Sequence, residues 1–497
     1  MHLGDYINGG FIVSEEPSGT IQSINPGNTG DIIGNYPYSY AHVPKAVAAA
    51  KNAFPSWARL SINERARYLK KFYLEIESHF QDITTLISRE TGKPLWESQQ
   101  ETQGLLGKIQ ITLEEGLQII AEREVPNAQP QIVGRYRYKP KGVMGVLGPF
   151  NFPAHLPHGH YIPALLTGNT VIFKPSEKTP AVGQLIAELI HRSGFPKGVF
   201  NLLQGEREVG KRLVMSEVDG ILFTGSYEVG LKIKQDTVSH YWKTIALEMG
   251  GKNASIVLDD ADLSKAIYEN ALGAYLTAGQ RCSATSRIVL TSGIADTFLS
   301  TFHKLSKGLK IGYAFDSEPP FMGPLISKEA QENYLRFQGI AQREGGETIM
   351  RGKVLELGYP GYYVTPSIYL MKPGVSSIYL NTEIFGPSVA IIIVKNIDEA
   401  IAEANRSDFG LAVSVFTKDR KNYDTVFQET KVGIVNWNRA TSGASAKLPF
   451  GGQGKSGNQC PTGLFAPYYC TYPVASLEDQ HSVDVTKLPS GLPFQNI

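Results

Sequence analysis

The sequence predicts an α/β fold with two domains, each built on a parallel sheet. Short apolar segments typical of buried strands alternate with amphipathic helical segments over most of the chain. The 497 residues exceed the roughly 150 residues of an average domain. Because neither a Pro/Ser-rich linker nor a charged block separates the units, we expect the two domains to share a broad packed interface.

The first predicted element is one long amphipathic helix. It begins at the capping box of Ser61 and Glu64 and ends at Gly92 and Pro94. Between these signals apolar residues recur at helical spacing, at Leu69, Tyr73, Ile76, Phe80, Ile83 and Ile87. This spacing places them on one buried face of the helix.

Strands and helices then alternate in βαβ units. Strands are predicted at 170–174, 199–203, 220–224, 244–247, 256–258, 287–290, 389–394 and 413–417. The helices between them are predicted at 181–192, 209–215, 263–275 and 398–405. Two further strands with aromatic residues, at 135–139 and 469–474, are predicted to be exposed. Exposed strands pair readily with another chain, so we expect a homo-oligomer, either a homodimer or a dimer of dimers.

Composition excludes several classes of protein. The formal net charge of +1 gives no global field that would favour nucleic acid or an anionic membrane. The first residues lack the features of a secretory signal, and no apolar run reaches the roughly 20 residues of a membrane span. Three cysteines without a CxxC pair indicate neither a disulfide framework nor a zinc site. We therefore expect no metal and a reducing, cytoplasmic setting.

Cys282 is the candidate nucleophile. It lies among small residues after a predicted helix, where a substrate can approach closely. An unperturbed thiol has a pKa of about 8.5, so reaction at neutral pH requires oriented backbone N–H groups or a cation such as Arg281. The alternative is an inert buried thiol, which composition alone favours. No special role is assigned to Cys460 or Cys470.

Glu248 is the candidate base. It follows a predicted apolar strand and precedes Gly250 and Gly251, which puts a carboxylate at the carboxyl edge of a sheet, where open α/β folds bind ligands. Burial there would raise its pKa and let it take a proton from water. A helix-capping or ion-paired glutamate is the alternative.

Two polar segments at strand ends are candidate nucleotide contacts. Gly225–Gly230 follows a strand and opens a helix, whose free N–H groups suit a pyrophosphate, although the closely spaced glycines of GxGxxG are absent. Lys174 and Glu177 also follow a strand and have side chains that suit ribose hydroxyls. A ligand-free turn and a solvated loop are the respective alternatives. The P-loop, HExxH and GxSxG motifs are absent from the sequence.

Seven segments resemble the aldehyde dehydrogenase superfamily, in sequence and in order. They are Gly148–Pro153, Lys174–Glu177, Phe223–Ser226, Leu247–Gly251, Gly279–Cys282, Glu383–Pro387 and Pro449–Gly452. The resemblance implies an aldehyde-dehydrogenase-like fold of two Rossmann-type domains with a small strand-based oligomerisation element. It implies a dinucleotide-binding domain at 1–122 and 141–250, a catalytic domain at 251–445, and oligomerisation elements at 123–140 and 460–490.

The same resemblance implies a set of roles for the site. Cys282 would be the nucleophile, Asn151 the oxyanion donor together with the Cys282 N–H, and Glu248 the base that activates water. This base disfavours relatives that release the acyl group to coenzyme A. The residues that would bind the cofactor are Lys174, Glu177, Gly225, Ser226, Gly230, Glu383 and Phe385. A carboxylate at Glu177 would repel a 2′-phosphate, so NAD is expected rather than NADP.

A narrower resemblance is to dehydrogenases that oxidise N-succinylglutamate 5-semialdehyde in arginine breakdown. It is carried by 94–98, 151–160 and 449–458 and by the tail residues 469–470 and 475–478. An anionic substrate requires cations, and Arg281 and Arg439 are the candidates, with structural ion pairs as the alternative. Another small or dicarboxylic semialdehyde, such as succinate semialdehyde, is a second possible substrate. A catalytically idle binding protein with this fold is a third interpretation.

Overall fold

The first sheet has seven strands, five of them parallel. The computed structural model describes residues 3–130, 132–484 and 488–492, so residues 485–487 of the predicted element 460–490 lie outside the described residues. In spatial order the strands are β11 (Thr244–Glu248), β10 (Gly220–Thr224), β7 (Val143–Leu147), β8 (Thr170–Lys174), β9 (Phe200–Leu202), β1 (Asp5–Ile7) and β2 (Gly10–Ile12). The antiparallel pair β1 and β2 closes one edge.

Helices pack on both faces of this sheet. They are α1 (His42–Arg59), α2 (Ile62–Ser78), α3 (Phe80–Thr91), α4 (Leu95–Leu113), α5 (Glu115–Ile119), α6 (His155–Leu166), α7 (Pro180–Arg192), α8 (Arg207–Met215) and α9 (Tyr227–Asp236). The apolar faces of these helices and of the sheet form two contiguous buried clusters. The first domain therefore has its core on each side of the sheet, as a doubly wound fold requires.

The prediction of one long helix is wrong, since the segment forms two helices that meet at His79. The capping box at Ser61 and the left-handed cap at Gly92 are confirmed. His79 itself has φ −109° and ψ 21°, outside the helical region. Its ring nitrogen Nδ1 lies 2.9 Å from the Glu75 carbonyl oxygen, and Arg192 Nη1 lies 2.6 Å from its Nε2. These contacts hold the chain in a break that the apolar spacing does not reveal.

The second sheet also has seven strands. In spatial order they are β14 (Glu347–Met350), β15 (Ser367–Met371), β16 (Ser388–Val394), β13 (Thr285–Thr291), β12 (Asn253–Val257), β18 (Ala412–Phe416) and β19 (Ile434–Trp437). Only β14 is antiparallel to its neighbour. The helices of this part are α10 (Leu263–Tyr275), α11 (Ser292–Lys307), α12 (Lys328–Arg343), α13 (Ile378–Asn381), α14 (Ile397–Ala404) and α15 (Arg420–Glu429). The chain changes sheet between Glu248 and Asn253.

A third sheet has three antiparallel strands and stands apart from the two domains. They are β23 (Thr471–Glu478), β6 (Ile132–Pro140) and β5 (Arg123–Gln129), in that order. The strand predicted at 135–139 lies within β6 but is mostly half-buried, and the strand predicted at 469–474 begins only at Thr471, because Tyr469 and Cys470 are buried at the end of α16 (Ala466–Cys470). The two strands pair with each other, which the sequence did not predict. The remaining short elements are β3 (Gly19–Ile24), β4 (Ile32–Tyr38), β17 (Phe409–Gly410), β20 (Pro449–Phe450), β21 (Gln453–Gly454), β22 (Thr462–Gly463) and α16 (Ala466–Cys470).

The carboxyl ends of the parallel strands in the first sheet lie opposite the amino ends of the strands in the second sheet. The strands β7, β8, β10 and β11 end at Leu147, Lys174, Thr224 and Glu248, all on one side. The loops that enter β13 and β16 face these ends across the junction between the domains. Across the described parts of the chain, no helix combines the length and the apolar character needed to cross a bilayer.

Candidate active site

One large cavity runs along the junction between the two sheets. Its volume is about 1210 Å³. The last residues of four strands of the first sheet form one wall, and they are Leu147, Lys174, Thr224 and Glu248. The opposite wall comes from the second domain and includes Cys282, Glu383 and Phe385. Ligands of open α/β sheets bind at this edge, so the cavity is the candidate active site.

Cys282 lies on the cavity wall between a 3₁₀ turn (Leu276–Gly279) and β13. Its carbonyl oxygen accepts a hydrogen bond of 2.8 Å from Asn253 Nδ2. A Cβ atom at Gly251 would overlap this carbonyl. Only glycine therefore permits the close approach of the backbone segments that contain Gly251 and Cys282. The backbone around the sulfur is therefore held from both sides.

Burial and the nearby carboxylates raise the pKa of the Cys282 thiol to about 12. The Ser283 backbone N–H and Arg281 act in the opposite direction but are weaker. The backbone N–H and the cation that were expected to lower the pKa of the thiol are both present, but burial raises this pKa by more than they lower it. The thiol is therefore the main form at neutral pH, and attack requires a group that removes its proton.

Asn151 is buried and lines the same cavity as Cys282. Its Nδ2 donates a hydrogen bond of 2.9 Å to the carbonyl oxygen of Gln280, two residues before the cysteine. An amide nitrogen carries two N–H donors, so this bond leaves one for an oxygen atom in the cavity. The structure thus brings the amide and the thiol together.

Glu248 is the last residue of β11 and is only 3% exposed. Burial raises the pKa of its carboxyl well above the ordinary value, against a lowering contribution from the Thr462 backbone N–H. Its Oε2 has no hydrogen-bond partner among the described residues. A carboxylate with a free oxygen in a cavity is suited to accept a proton, and Glu248 forms no ion pair with any described residue.

A second, smaller cavity lies behind Glu248. Its volume is about 150 Å³, and Cys460, Pro461 and Gly451 contribute to its wall. The segment that enters it pairs with β11, because the Met249 N–H donates to the Ser456 carbonyl oxygen over 3.0 Å. The first residues of the predicted oligomerisation element 460–490 therefore lie at the candidate active site, before the chain reaches the third sheet.

The far end of the large cavity contains the candidate ribose contacts. Lys174 Nζ lies 3.8 Å from Glu177 Oε2 and donates a hydrogen bond of 2.8 Å to the Pro175 carbonyl oxygen. Lys174 is buried, whereas the Glu177 side chain is 45% exposed. Burial lowers the pKa of Lys174, and the Glu177 carboxylate opposes this. Both side chains line the cavity, as a ribose site requires.

The predicted pyrophosphate segment lies only partly on the cavity. Gly225 and Ser226 line it at the start of α9, and the Ser226 hydroxyl caps the helix by accepting from the Val229 N–H. Gly230 does not line the cavity, because it packs against Met249, where a Cβ atom would overlap the sulfur. Its glycine identity is thus explained by packing.

Glu383 and Phe385 lie near Cys282 at the other end of the cavity. Glu383 Oε1 accepts a hydrogen bond of 2.9 Å from the Gly251 N–H, and burial raises the pKa of this carboxyl to about 8. Phe385 has a left-handed backbone with φ 55° and packs edge-on against Phe150, with ring centroids 5.7 Å apart. Strain of this kind concentrates at functional sites.

Arg281 and Arg439 are both paired with glutamates. Arg281 Nη2 lies 2.6 Å from Glu97 Oε1, and Arg439 Nε lies 3.6 Å from Glu269 Oε1. Neither arginine lines the large cavity. The structure thus favours the alternative of structural ion pairs, most clearly for Arg281, whose side chain is only 12% exposed. Their substrate roles stay predictions.

The sequence analysis missed a buried lysine near the site and four cations on the cavity wall. Lys252 is buried, and burial together with Arg287 lowers its pKa to about 7, against the opposing charge of Glu383. The cationic side chains on the cavity wall besides Lys174 are Arg207, Lys211, Lys232 and Lys455. No local pattern marks them, because only the fold brings these distant segments together.

The residues present fit a dinucleotide. The cavity runs from a buried lysine and a glutamate, past a glycine-containing helix start, to an aromatic ring and a carboxylate near the cysteine. This donor set offers ribose, phosphate and ring contacts in one continuous groove. Fold and site together define a nicotinamide-dependent dehydrogenase in which a cysteine faces the nucleotide cavity.

Comparison with known proteins gives the family. The aldehyde dehydrogenase family matches residues 12–469. A relative from Legionella pneumophila (strain Corby), named N-succinylglutamate 5-semialdehyde dehydrogenase, is 41% identical over 478 residues, which cover 96% of this chain and 94% of the relative. The chain belongs to the aldehyde dehydrogenase family, so the predicted superfamily is confirmed and the protein is an enzyme.

Two solved structures have the same fold. PnpE in complex with nicotinamide adenine dinucleotide superposes with a TM-score of 0.91 at 31% identity, covering 97% of this chain and 99% of PnpE. An NADP-dependent enzyme of Escherichia coli gives a TM-score of 0.90 at 29% identity, covering 96% and 98%. The α/β fold class is confirmed, and the two neighbours differ in the cofactor that they name.

Proposed function

We propose that this enzyme oxidises N-succinyl-L-glutamate 5-semialdehyde to N-succinyl-L-glutamate with NAD, a step of the succinyl branch of arginine breakdown. The observation that carries the chemistry is the convergence of Cys282, Asn151 and Glu248 on one cavity. The substrate is supported by the name of a relative that is 41% identical over nearly the whole chain. An idle binding protein would not need this trio.

The reaction begins at the sulfur of Cys282. The thiol loses its proton to solvent, and the sulfur bonds to the aldehyde carbon, whose oxygen takes up negative charge. The free N–H of the Asn151 amide and the Cys282 backbone N–H stabilise this oxygen. A nicotinamide held near Glu383 and Phe385 would supply the acceptor for the hydride that the aldehyde carbon must lose. Cys282 then holds the acyl group as a thioester.

Glu248 completes the reaction by freeing the acyl group. Its carboxylate takes a proton from water, the resulting hydroxyl attacks the thioester carbon, and the sulfur leaves to restore Cys282. The raised pKa of Glu248 supports this role, because a stronger base takes a proton from water more readily. Water as the acyl acceptor gives a free carboxylate rather than a coenzyme A thioester.

The proposal of NAD rather than NADP depends on Glu177. Its exposed carboxylate lies near Lys174 at the ribose end of the cavity. A carboxylate accepts hydrogen bonds from a ribose diol and repels a 2′-phosphate. The proposed cofactor contacts are Lys174 and Glu177 for the ribose, Gly225 and Ser226 for the pyrophosphate, and Glu383 and Phe385 for the nicotinamide end.

A panel of aldehydes tests the substrate. Purified enzyme is mixed with NAD and either N-succinylglutamate 5-semialdehyde, succinate semialdehyde or a short aliphatic aldehyde, and the absorbance of NADH gives kcat/KM for each. We expect the highest kcat/KM with the first aldehyde and no turnover after Cys282→Ala. A higher kcat/KM with another aldehyde would overturn the substrate, and turnover by Cys282→Ala would overturn the mechanism.

A further inference from the structure

Two buried glutamates on α4 contact both of the loops that carry the reactive groups. Glu97 and Glu101 are 1% and 3% exposed and lie four residues apart, on the same face of the helix. Neither lines the large cavity. Buried carboxylates are costly unless they are fully paired, so their partners indicate what they do.

Glu101 holds the segment that follows Asn151. Its Oε1 accepts hydrogen bonds from the backbone N–H groups of Ala154 and His155, over 3.0 and 3.1 Å, where α6 begins. Its Oε2 accepts a hydrogen bond of 2.5 Å from the buried Lys93. The carboxylate thus fixes the start of the helix and, through it, the three residues that connect Asn151 to α6.

Glu97 holds the turn that precedes Cys282. Its Oε2 accepts from the Thr277 backbone N–H over 3.1 Å, and its Oε1 accepts from the Thr277 hydroxyl and, over 2.6 Å, from Arg281 Nη2. Arg281 Nε also donates to the Thr277 hydroxyl over 2.9 Å. One carboxylate therefore fixes both ends of the five-residue segment that leads to the cysteine.

This turn needs an external restraint, because its backbone is strained. Thr277 and Ala278 both have φ 54°, the left-handed region that residues with a Cβ atom adopt rarely. A strained backbone persists only where its surroundings over-determine it. Glu97 supplies two of the three hydrogen bonds that Thr277 makes through its N–H and hydroxyl.

The two restrained loops also contact each other. Asn151 donates to the Gln280 carbonyl oxygen, and the ring of Phe152 lies between Lys93 Nζ and the Arg281 guanidinium, at 3.6 and 5.0 Å from its centroid. Each of these cations is bonded to one of the two glutamates. The amide and the thiol are thus set relative to one another by a single helix.

We propose that Glu97 and Glu101 are positioning residues, which set the distance between the Asn151 amide and the Cys282 sulfur without touching the substrate. This inference rests on the proposed function for the roles of Asn151 and Cys282. It assigns a function to the acidic pair on α4 that neither the sequence motifs nor the cavity wall indicates.

The test compares Glu97→Gln, Glu97→Ala and Glu101→Gln with the wild-type enzyme. Misplacing the oxyanion donor reduces kcat, and we expect losses of about 10- to 100-fold in each variant, with KM for NAD within about twofold. Nucleotide affinity is unaffected because α4 does not reach the cavity wall. A loss of nucleotide affinity as large as the loss of kcat would show general damage and overturn the proposal, as would an unchanged kcat.

Relief of the strain provides a rescue test. Ala278→Gly removes the left-handed penalty without removing a hydrogen bond, since glycine adopts this φ freely. We expect Ala278→Gly to restore part of the kcat lost in Glu97→Gln, and to do nothing for Glu101→Gln. If Ala278→Gly raised kcat equally in Glu97→Gln and Glu101→Gln, or raised it in neither, the result would contradict the role assigned to Glu97.

Asp260→Asn is the matched control. Asp260 also fixes a turn, by accepting from the Lys418 and Asp419 backbone N–H groups, but it follows β12 at the end of the sheet opposite Cys282. We expect its kcat to equal that of the wild type. A loss of kcat in Asp260→Asn as large as that in Glu97→Gln would overturn the proposal.

Alkylation of Cys282 by iodoacetamide separates this proposal from the proposed function, because the alkylation requires no aldehyde. We expect Glu97→Gln and Glu97→Ala to change the alkylation rate by at least about threefold, since the thiol is no longer held in one position. If the wild type fails on every aldehyde while this rate still changes, the proposed substrate fails and the positioning role stands. If the rate is unchanged in both variants, the positioning role fails.

Discussion

The protonation of Cys282 decides how the enzyme begins its cycle. Burial raises the pKa of the thiol to about 12, and the charges of Glu383 and Glu248 act in the same direction. A half-buried thiol kept protonated beside carboxylates is protected from unwanted reaction, since the thiolate is the reactive form. The sulfur therefore attacks only after its proton has passed to solvent in the cavity, and Glu248 stays available to act on water in the second half of the reaction.

Glu248→Gln separates the two halves of the reaction. Glutamine cannot take a proton from water, so we expect one rapid equivalent of NADH per active site followed by turnover reduced about 10²- to 10⁴-fold. Stopped-flow absorbance measures both phases. In the wild type, hydrolysis should accelerate with rising pH, because only the ionised carboxylate is a base and the pKa of Glu248 is raised. A first turnover slowed as much as the later ones would contradict the assignment of Glu248 to hydrolysis.

Glu177→Ser tests the choice of cofactor. Removing the carboxylate removes the repulsion of a 2′-phosphate, so we expect kcat/KM for NADP to rise by about tenfold. We expect kcat/KM for NAD to fall severalfold, because a hydrogen bond to the ribose that contributes about 1 kcal/mol is lost. Glu188→Ser changes a glutamate on α7 outside the cavity wall and serves as the control. An unchanged ratio of the two kcat/KM values in Glu177→Ser would show that Glu177 does not select the cofactor.

Residue identities indicated which side chains line the cavity better than they indicated the partners of those side chains. Cys282, Asn151 and Glu248 all line one cavity, from its two opposite walls, and their catalytic roles stay predictions. The pairing of Arg281 with Glu97 was not predicted, because the partner lies 184 positions earlier in the chain and only the fold brings it near. For the same reason the burial of Lys252 has no local sequence signal.

At the scale of elements, the apolar pattern predicted strands well because the strands of both large sheets consist mostly of buried apolar residues. The strand predicted at 170–174 is β8 with the same bounds, and both of its faces are covered. The break at His79 was missed because the apolar residues of α2 and α3 keep their spacing through it, and the contacts that cause it involve a carbonyl oxygen and the distant Arg192. Side-chain contacts of this kind are set by tertiary structure.

Helix α6 makes the stability of the first domain sensitive to acid. Burial lowers the pKa of His158 well below its usual value and that of His160 to about 3. Between that pH and about 6.5 the unfolded chain binds more protons than the folded one, so the free energy of unfolding falls as the pH falls. We expect His160→Gln to reduce this slope below pH 6.5, by up to about 1.4 kcal/mol per pH unit. Denaturant unfolding at several pH values measures it.

His481→Gln is the control for this measurement. His481 is exposed near the described end of the chain and bonds only to the neighbouring Asp479 in the described structure. We expect its slope to match that of the wild type. A wild-type slope that is flat between pH 4 and 6.5 would contradict the prediction for α6.

At the scale of the whole molecule, the site exists only at the junction of two domains. The first sheet contributes Glu248 at the carboxyl end of β11, and the second domain contributes Cys282 before β13. Each domain alone has a complete core but only some of the reactive groups, with Asn151 and Glu248 in the first domain and Cys282 in the second. Alternation of strands and helices predicted the two sheets, whereas their mutual orientation depends on packing that no local pattern encodes.

The third sheet has an edge and an apolar face that a single chain leaves uncovered. All seven residues of β5 are exposed, and β23 carries the exposed apolar residues Tyr472 and Leu477. An open edge and an uncovered apolar face favour pairing with a second chain. We therefore propose a homo-oligomer in which this sheet contacts another copy.

Light scattering after size-exclusion chromatography tests this assembly. We expect a mass that is a multiple of 54.5 kDa, and a shift toward 54.5 kDa in Leu477→Asp, because a buried carboxylate in the interface has no partner. Leu74→Asp, which also replaces an exposed leucine but on α2, should keep the wild-type mass. A wild-type mass of 54.5 kDa would refute the assembly. An oligomer that tolerates Leu477→Asp but dissociates in Leu74→Asp would place the interface on the helical face instead of on the third sheet.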